Sequence, residues 1–300
     1  MSFSQKVKSE LSLMTDLSDC CMKAQAYGML LFGKYYSQTR IGLLTENKNV
    51  AGAYAHFCKV CPEVKPRLSK TKAGNFSLSV TIPRDIEKIM RYFGQSKQNI
   101  TLRINRSNFE DDCCYASFLR GVFLSCGTIA DPMKNYHLEF VIPYLKLTND
   151  FATLLGDMGL SPKIVERGNS YVVYFKDSEN IEDFLTLIGA QSSSLELMGV
   201  KMMKDVRNKI NRQINFETAN ISRTVNASMT QVAAIEKIQK IKGLEWLPEQ
   251  LREIAKIRLE NPDMSLDEIR NVLDGEISRS GVNHRLNRLI KIADELDRET

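Results

Sequence analysis

The sequence that decides the fold is "DDCCYASFLRGVFLSCG" (residues 111–127). It is an apolar, helix-like stretch in which two adjacent cysteines follow two acids, and Gly121 comes eight residues after the first cysteine. A second stretch, "DCCMKAQAYGMLLFGK" (residues 19–34), has the same opening 93 residues earlier, with Gly28 in the place of Gly121. Self-similarity at a fixed offset is typical of an internally repeated fold.

The repetition continues beyond these two helices. Each is followed by a strand pair, a second helix, another strand pair and a short helix that ends at a glycine, Gly94 in the first copy and Gly189 in the second. This order, given twice, predicts an α+β domain with internal pseudo-twofold symmetry over residues 1–195. Its two repeats cover about residues 19–94 and 112–189.

Gly28 and Gly121 lie in the middle of the two predicted helices. A glycine there costs about 1 kcal/mol relative to alanine, so it usually has a packing reason. We expect the two helices to cross at these glycines, where the backbones can approach closely. The alternative is an incidental glycine in each helix, which their equivalent positions disfavour.

The rest of the chain is predicted to be helical. Residues 196–222 are polar and basic and lack turn signals, which predicts a linker helix. Residues 223–300 are predicted to form an all-α domain whose last helix is the longest. Within it, Pro248 begins one helix, and Ser265 with Glu268 forms a capping box at the start of the next.

Composition sets only broad limits on the function. The 300 residues carry a formal net charge of +5, which permits an anionic partner without demonstrating one, and neither half of the chain is strongly basic. The N-terminal sequence has no apolar core of a secretory signal, and no run of about 18 apolar residues predicts a membrane span. The seven cysteines include two adjacent pairs, which does not resemble a disulfide framework and favours a reducing, cytoplasmic location.

Three long motifs stand out along the chain, "FLRGVFLSCGTIADPMKNYHLEF" (residues 118–140), "NRQINFETANISRTVNAS" (residues 211–228) and "ISRSGVNHRLNRL" (residues 277–289). They resemble the WhiA family of bacterial sporulation and cell-division regulators. The opening "MSFSQKVKSELS" also fits, and the match runs through nearly the whole chain in the expected order. The resemblance implies a degenerate LAGLIDADG homing-endonuclease-like domain, joined by a linker to a helix-turn-helix DNA-binding domain. It explains the repeated opening as two copies of the LAGLIDADG unit.

The resemblance raises the question of nuclease activity. In LAGLIDADG enzymes each helix ends on an acid that binds a divalent metal ion, and such ions activate water and stabilise the leaving oxygen. In this sequence the equivalent positions are Gly33 and Cys126. Neither offers the hard oxygen ligand that Mg²⁺ prefers. Asp131, a few residues beyond, belongs to an Asp-Pro turn, so we expect no nuclease activity and no catalytic residue.

Other metal or cofactor chemistry has weak support in the sequence. Cys58 and Cys61 form a CxxC pair, which would need two further ligands to hold a metal ion. Candidate ligands elsewhere are Cys20, Cys21, Cys113, Cys114, His56, His137 and His284. None of these forms a second pair with ligand spacing, and no glycine-rich phosphate loop occurs. We therefore expect buried thiols, no metal and no cofactor, and the role of Cys58 and Cys61 stays open.

The last helix carries the clearest functional signal. One face repeats apolar residues at helical spacing, and between Ser278 and Lys291 the remaining positions include four basic residues and no acid. A short helix and the turn "DGEI" (residues 274–277) precede it, which is the order of a helix-turn-helix. The expected DNA contacts are Ser278, Arg279, Ser280, Asn283, His284, Arg285 and Arg288. The alternative is a solvated basic face on a plain helical bundle.

The linker helix is a second candidate for DNA contact. Its basic and amide residues include Arg207, Asn208, Asn211 and Arg212. Asparagine is a modest helix former, so its abundance asks for a reason. Contact with DNA and a hydrogen-bond network that orients the two halves are equally good explanations.

The sequence as a whole predicts a sequence-specific DNA-binding transcriptional regulator without catalysis. It would bind double-stranded DNA at promoter regions, in the cytoplasm and associated with the nucleoid. By resemblance, its genes would be those of cell division, chromosome segregation or sporulation. A residual metal-dependent endonuclease and an adaptor with weak DNA binding, acting through protein contacts of the first domain, are the alternatives. The target sequence, activation or repression, the oligomeric state and DNA contact by the first domain stay open.

Overall fold

A computed structural model describes residues 1–14, 17–95, 101–273 and 277–299, without the side chains of 297–299. The chain divides into two compact units, Met1–Asp205 and Val206–Thr300. The division falls inside a helix rather than in a loop.

The first unit contains the same succession of elements twice, after an N-terminal helix α1 (Phe3–Ser12). The first repeat consists of α2 (Asp19–Leu31), β1 (Tyr35–Tyr36), β2 (Ile41–Thr45), α3 (Lys48–Val60), β3 (Arg67–Lys70), β4 (Phe76–Val80) and α4 (Pro83–Tyr92). The second repeat consists of α5 (Asp112–Cys126), β5 (Gly127–Ile129), β6 (Leu138–Ile142), α6 (Leu145–Asp157), β7 (Lys163–Arg167), β8 (Ser170–Phe175) and α7 (Ser178–Leu187). The predicted order of helix, strand pair, helix, strand pair and helix is confirmed.

Each repeat forms its own four-stranded antiparallel sheet. The strand orders are β1-β2-β4-β3 and β5-β6-β8-β7, so the two sheets have the same topology. In β6, Leu138, Phe140 and Ile142 alternate toward the core and are buried, because successive strand residues point to opposite faces. Gly94 and Gly189 follow the closing helices with positive φ angles of 65° and 87°, a conformation that glycine adopts without strain.

The crossing of α2 and α5 is the centre of this unit. A Cβ atom built on Gly28 would lie 2.3 Å from the backbone oxygen of Phe118, and one on Gly121 would lie 2.3 Å from that of Gln25. The two helices therefore touch backbone to backbone, and only glycine fits at both points. The ring of Tyr27 packs 5.5 Å from that of Phe118 beside the crossing. The predicted meeting of the two glycines is confirmed.

A single helix, α8 (Gln191–Ile241), runs for 51 residues through the region between the two predicted domains. The predicted linker, residues 196–222, is an interior part of this helix and does not end before the next helical segment. The physical reason is that no glycine or proline occurs between Gly199 and Gly243. The carboxylate of Glu10 in α1 caps the first turn of α8, accepting hydrogen bonds from the backbone N–H groups of Ser192 at 2.8 Å and Ser193 at 3.2 Å.

The second unit is helical. After α8 come α9 (Glu249–Glu260), α10 (Leu266–Val272) and α11 (Arg279–Glu299). Its core joins residues of all four helices, namely Ile235, Ile238, Ile254, Ala255, Ile269, Val282, Leu286, Leu289, Ala293 and Leu296. The predicted turn at residues 274–277 lies outside the described residues except for Ile277.

Candidate nucleic-acid interface

The turn between α9 and α10 is fixed by side chains that bond to backbone atoms. Ser265 and Glu268 form the predicted capping box, with Ser265 N–H donating to Glu268 at 2.7 Å and Glu268 N–H donating to Ser265 at 3.3 Å. The buried guanidinium of Arg258 donates to the carbonyl oxygens of Pro262 at 3.1 Å and Met264 at 2.6 Å. These bonds hold the short helix α10 in place against α9, and thereby the surface on which α11 rests.

The start of α11 is also capped. The hydroxyl oxygen of Ser278 accepts a hydrogen bond from the backbone N–H of Gly281 at 3.1 Å, which satisfies one of the free donors at the helix N-terminus. Ser278 is exposed, and its hydroxyl hydrogen stays available to an outside acceptor. Its first role is therefore to begin the helix.

Helical spacing separates α11 into a core face and an outer face. Val282, Leu286 and Leu289 are fully buried and define the core face. The opposite side of the helix is exposed, and we call it the outer face. It consists of Ser280, Asn283, His284, Asn287, Arg288 and Lys291. It contains two cations and no carboxylate, and it presents amide, hydroxyl and imidazole groups between them.

Two of the residues predicted as DNA contacts lie at the flanks of α11 and already have partners within the unit. The Nε atom of Arg279 lies 3.5 Å from a carboxylate oxygen of Asp267 in α10. The Nη2 atom of Arg285 donates to the side-chain oxygen of Gln250 in α9 at 3.4 Å. Both cations stay partly exposed, so they border the outer face instead of forming its centre.

The structure thus brings Ser280, Asn283, His284 and Arg288 together on the outer face, with Ser278 at its N-terminal end. Asn287 and Lys291 share this face, although neither was among the predicted contacts. The signal for them was available in the sequence, because they follow His284 by three and seven residues and so lie on the same side of a helix.

The four linker residues Arg207, Asn208, Asn211 and Arg212 are all exposed on α8. Every residue of α8 from 205 to 227 is exposed, including apolar side chains such as Val206 and Ile210. The four residues lie within one side of the helix, because they span positions 0, 1, 4 and 5 of a 3.6-residue period.

Gly33 and Cys126, which were predicted to be degenerate nuclease positions, lie at the C-terminal ends of the crossed helices. Gly33 follows α2, and a Cβ atom built there would lie 2.7 Å from the backbone oxygen of Gly42, so no side chain fits without a backbone shift. Cys126 is the last residue of α5, and burial raises the pKa of its thiol to about 12.

A lysine from outside the repeats lies beside this end of the crossing. Lys8 of α1 is close enough to Cys126 and Glu46 for both to favour its charged form, although burial lowers its pKa overall. Its Nζ atom also lies 5.8 Å from the centre of the Phe123 ring. The amine of Lys8 therefore lies beside Cys126 at the C-terminal end of α5.

The structure separates the cysteines into different environments. Cys58 and Cys61 are buried at the end of α3, and burial raises the pKa of the Cys61 thiol to about 11 and that of Cys58 still further. At the N-terminal ends of α2 and α5, the four sulfur atoms of the two pairs of adjacent cysteines all lie within 4.8 Å of one another. These four residues are Cys20, Cys21, Cys113 and Cys114. Sequence spacing did not predict this group, which we call the cysteine cluster.

These features define a class of protein. An internally repeated α+β domain is followed by a helix-turn-helix domain whose last helix presents a basic, polar face. Two family models match the corresponding parts of the chain. The model of the WhiA LAGLIDADG-like domain matches residues 115–207, and that of the WhiA C-terminal helix-turn-helix domain matches residues 210–293. The fold class predicted from the sequence is confirmed.

The chain belongs to the WhiA family, and its relatives match it over their full length. It is 40% identical over 307 residues to the Probable cell division protein WhiA of Ruminiclostridium cellulolyticum, covering 99% of this chain and 98% of that protein. It is 37% identical over 318 residues to the protein of the same name from Clostridium acetobutylicum, covering 100% and 99%. The crystal structure of full-length DUF199/WhiA from Thermatoga maritima is similar, with a TM-score of 0.60 and 26% identity over 98% of this chain and 99% of that one.

Among the described residues, no helix combines the length and the apolar character needed to cross a bilayer.

Proposed function

We propose that this protein is a sequence-specific DNA-binding transcriptional regulator linked to cell division, chromosome segregation or sporulation, and that it has no nuclease activity. The observation that carries the proposal is the outer face of α11, which is exposed, basic and free of carboxylates on a firmly packed helix. The relatives named as probable cell division proteins support the link to cell division.

The chemistry of the outer face suits a major groove. Asn283 and Asn287 can each pair with an adenine edge, and Arg288 can bond a guanine bidentately. Lys291 suits a phosphate oxygen, since an ammonium group binds as a point charge. His284 and Ser280 lie between these groups and can donate or accept hydrogen bonds. Base contacts would set sequence choice, and phosphate contacts would set salt-dependent affinity.

Arg279 and Arg285 would act at the border of this surface. Each is held by a partner inside the unit, Asp267 or Gln250, and each bond is long enough to be exchanged for a phosphate oxygen. We expect them to position the helix on the DNA backbone, because a flank of a recognition helix faces the groove walls.

The exposed segment of α8 is the second expected contact. Arg207, Asn208, Asn211 and Arg212 all point to one side of the helix, which favours a shared anionic partner for the two cations. The alternative is an interdomain hydrogen-bond network. Substitution of Arg207 and Arg212 separates the two explanations, because it lowers DNA affinity only if these residues contact DNA.

The absence of nuclease activity is supported by the ends of α2 and α5. Gly33 has no side chain to offer as a ligand, and burial raises the pKa of the Cys126 thiol to about 12, so this thiol stays protonated near neutral pH. Glu46 is one carboxylate near Lys8, but two metal-binding acids are needed for the two-metal chemistry of such enzymes.

The test is binding of the full chain to fragments of its own genome over a salt series, with and without Mg²⁺. Lys291→Ala and Arg288→Ala should weaken binding, and Arg288→Ala should also relax sequence choice by about 1–3 kcal/mol at one base pair. Lys256→Ala is the matched control, because Lys256 is an exposed cation on α9 of the same unit and is paired with Glu245. It should leave binding and selectivity unchanged.

The same experiment distinguishes the alternatives. Equal, weak binding to all fragments would contradict sequence-specific recognition and favour a protein that acts mainly through contacts of its first domain with another regulator. Cleaved fragments that appear only with Mg²⁺ would contradict the absence of nuclease activity.

A further inference from the structure

The cysteine cluster lies where the first turns of α2 and α5 come together. Cys20 and Cys21 follow the first residue of α2, and Cys113 and Cys114 follow the first residue of α5. All four sulfur atoms lie within 4.8 Å of one another, and those of Cys21 and Cys113 are 3.2 Å apart. Two sulfurs come from each repeat, so the group joins the two copies.

This spacing fits a single tetrahedral ion. A zinc–sulfur bond is about 2.3 Å long, which places the four sulfurs of a tetrahedral site about 3.8 Å apart. The cluster therefore needs movements of an ångström or less, within the range of a side-chain adjustment. An iron–sulfur cluster would hold its thiolates further apart, because several metal ions lie between them.

The surroundings suit an anionic metal–thiolate centre. The N-termini of α2 and α5 both bring positive dipole ends to the cysteines. The side chains of Ser117 and Ser18 hydrogen-bond to the Cys21 sulfur, and backbone N–H groups at Glu110 and Asp111 bond to the Cys114 sulfur. Hydrogen-bond donors therefore reach a sulfur atom in each repeat.

A buried cation close by lacks a full countercharge. Arg120 is only 6% exposed, and its two bonds go to neutral oxygens, that of Ile188 at 2.7 Å and that of the Gln25 side chain at 3.0 Å. The hydrogen bonds that hold this guanidinium thus go to neutral acceptors, and a zinc ion with four thiolates, which carries a net charge of −2, would stabilise its charge.

We propose that Cys20, Cys21, Cys113 and Cys114 bind one zinc ion that ties the two repeats together at the N-termini of α2 and α5. Binding releases the four thiol protons to solvent, so the ion is held more tightly as the pH rises. Because all four positions around the ion are filled by protein sulfur, the site is structural and has no place for a substrate. Neither sequence recognition nor the state of Gly33 and Cys126 depends on it.

The test uses the full chain, purified under reducing conditions without chelator. Elemental analysis should find about one zinc per chain, and exchange for Co²⁺ should give the intense thiolate-to-cobalt band and the visible bands of a tetrahedral ion. Cys113→Ser removes the exposed ligand and should reduce bound metal at least about tenfold. Cys61→Ser, at a buried cysteine outside the cluster, is the matched control and should keep the full metal content.

A milder variant covers the case in which Cys113→Ser does not fold. Ser117→Ala keeps all four ligands but removes a hydrogen bond to Cys21, and should weaken Co²⁺ binding by about 10- to 100-fold. Folded protein with four reduced thiols and no cobalt bands would overturn the proposal. So would a Cys21–Cys113 disulfide in metal-free chains, or iron with inorganic sulfide in place of zinc.

Discussion

The crossing of α2 and α5 gives the sharpest test of the fold. In Gly121→Ala, the new Cβ atom would lie 2.3 Å from the backbone oxygen of Gln25 and 2.9 Å from the backbone nitrogen of Met29. A carbon–oxygen contact needs about 3.3 Å, so the helices must separate by about 1 Å. Backbone atoms cannot rotate away, which places the cost at the upper end of overpacking, about 3 kcal/mol.

The helix preference of alanine offsets about 1 kcal/mol of this cost, so the net loss of unfolding free energy should be about 2 kcal/mol. For a unit of this size that lowers the Tm by about 4–8 °C, measured by calorimetry of the full chain. The matched control is Gly52→Ala in α3, where nothing lies within 4 Å of an added Cβ and stability should rise by up to about 1 kcal/mol. Trp246 fluorescence follows the helix-turn-helix unit separately, because the chain has one tryptophan. If Gly121→Ala were as stable as Gly52→Ala, the inferred backbone contact between α2 and α5 would be wrong.

Four further outcomes follow from the structure. Ser265→Ala should cost about 1 kcal/mol in thermal unfolding through loss of the α10 cap, and an unchanged Tm would contradict the capping box. Glu10→Gln should cost about 0.5–1 kcal/mol, because a neutral amide caps α8 more weakly than a carboxylate; equal stability of the two chains would argue against this cap. Since the pKa of Cys61 is raised to about 11, its thiol stays protonated at pH 8, and iodoacetamide should modify it at least about 100-fold more slowly in the native chain than in urea, as mass spectrometry would reveal. Lys291→Ala should reduce the slope of log affinity against log salt by about 0.9, a change that a lysine away from phosphate would not produce.

The repeated fold could be predicted because the repetition is visible both in the order of the elements and in single residues. The offset between the two cysteine pairs persists through to Gly94 and Gly189, and mid-helix glycines signal close backbone approach. The outer face of α11 could likewise be predicted from helical spacing. The flanking bonds of Arg279 and Arg285 could not, because they depend on which rotamers meet residues of α9 and α10.

Two features, the continuous helix α8 and the cysteine cluster, were not predicted from the sequence, for different reasons. The polarity of residues 196–222 indicated a separate linker, but polarity marks exposure and does not end a helix. The cysteine cluster was missed because ligand spacing was sought within one segment. Once Gly28 and Gly121 are known to meet, Cys21 and Cys113, each about two turns earlier, must come close on parallel helices.

The contact between α2 and α5 also has a consequence for folding during synthesis of the chain. Buried residues of α2 such as Tyr27 pack against residues of α5 such as Phe118, and the equivalent part of α5 is made 93 residues later. At a ribosomal rate of about 5–20 residues per second, the first repeat waits roughly 5–20 s with its apolar helix uncovered. We expect truncation between the repeats to yield an insoluble product instead of half a domain, because it leaves the buried face of α2 without α5.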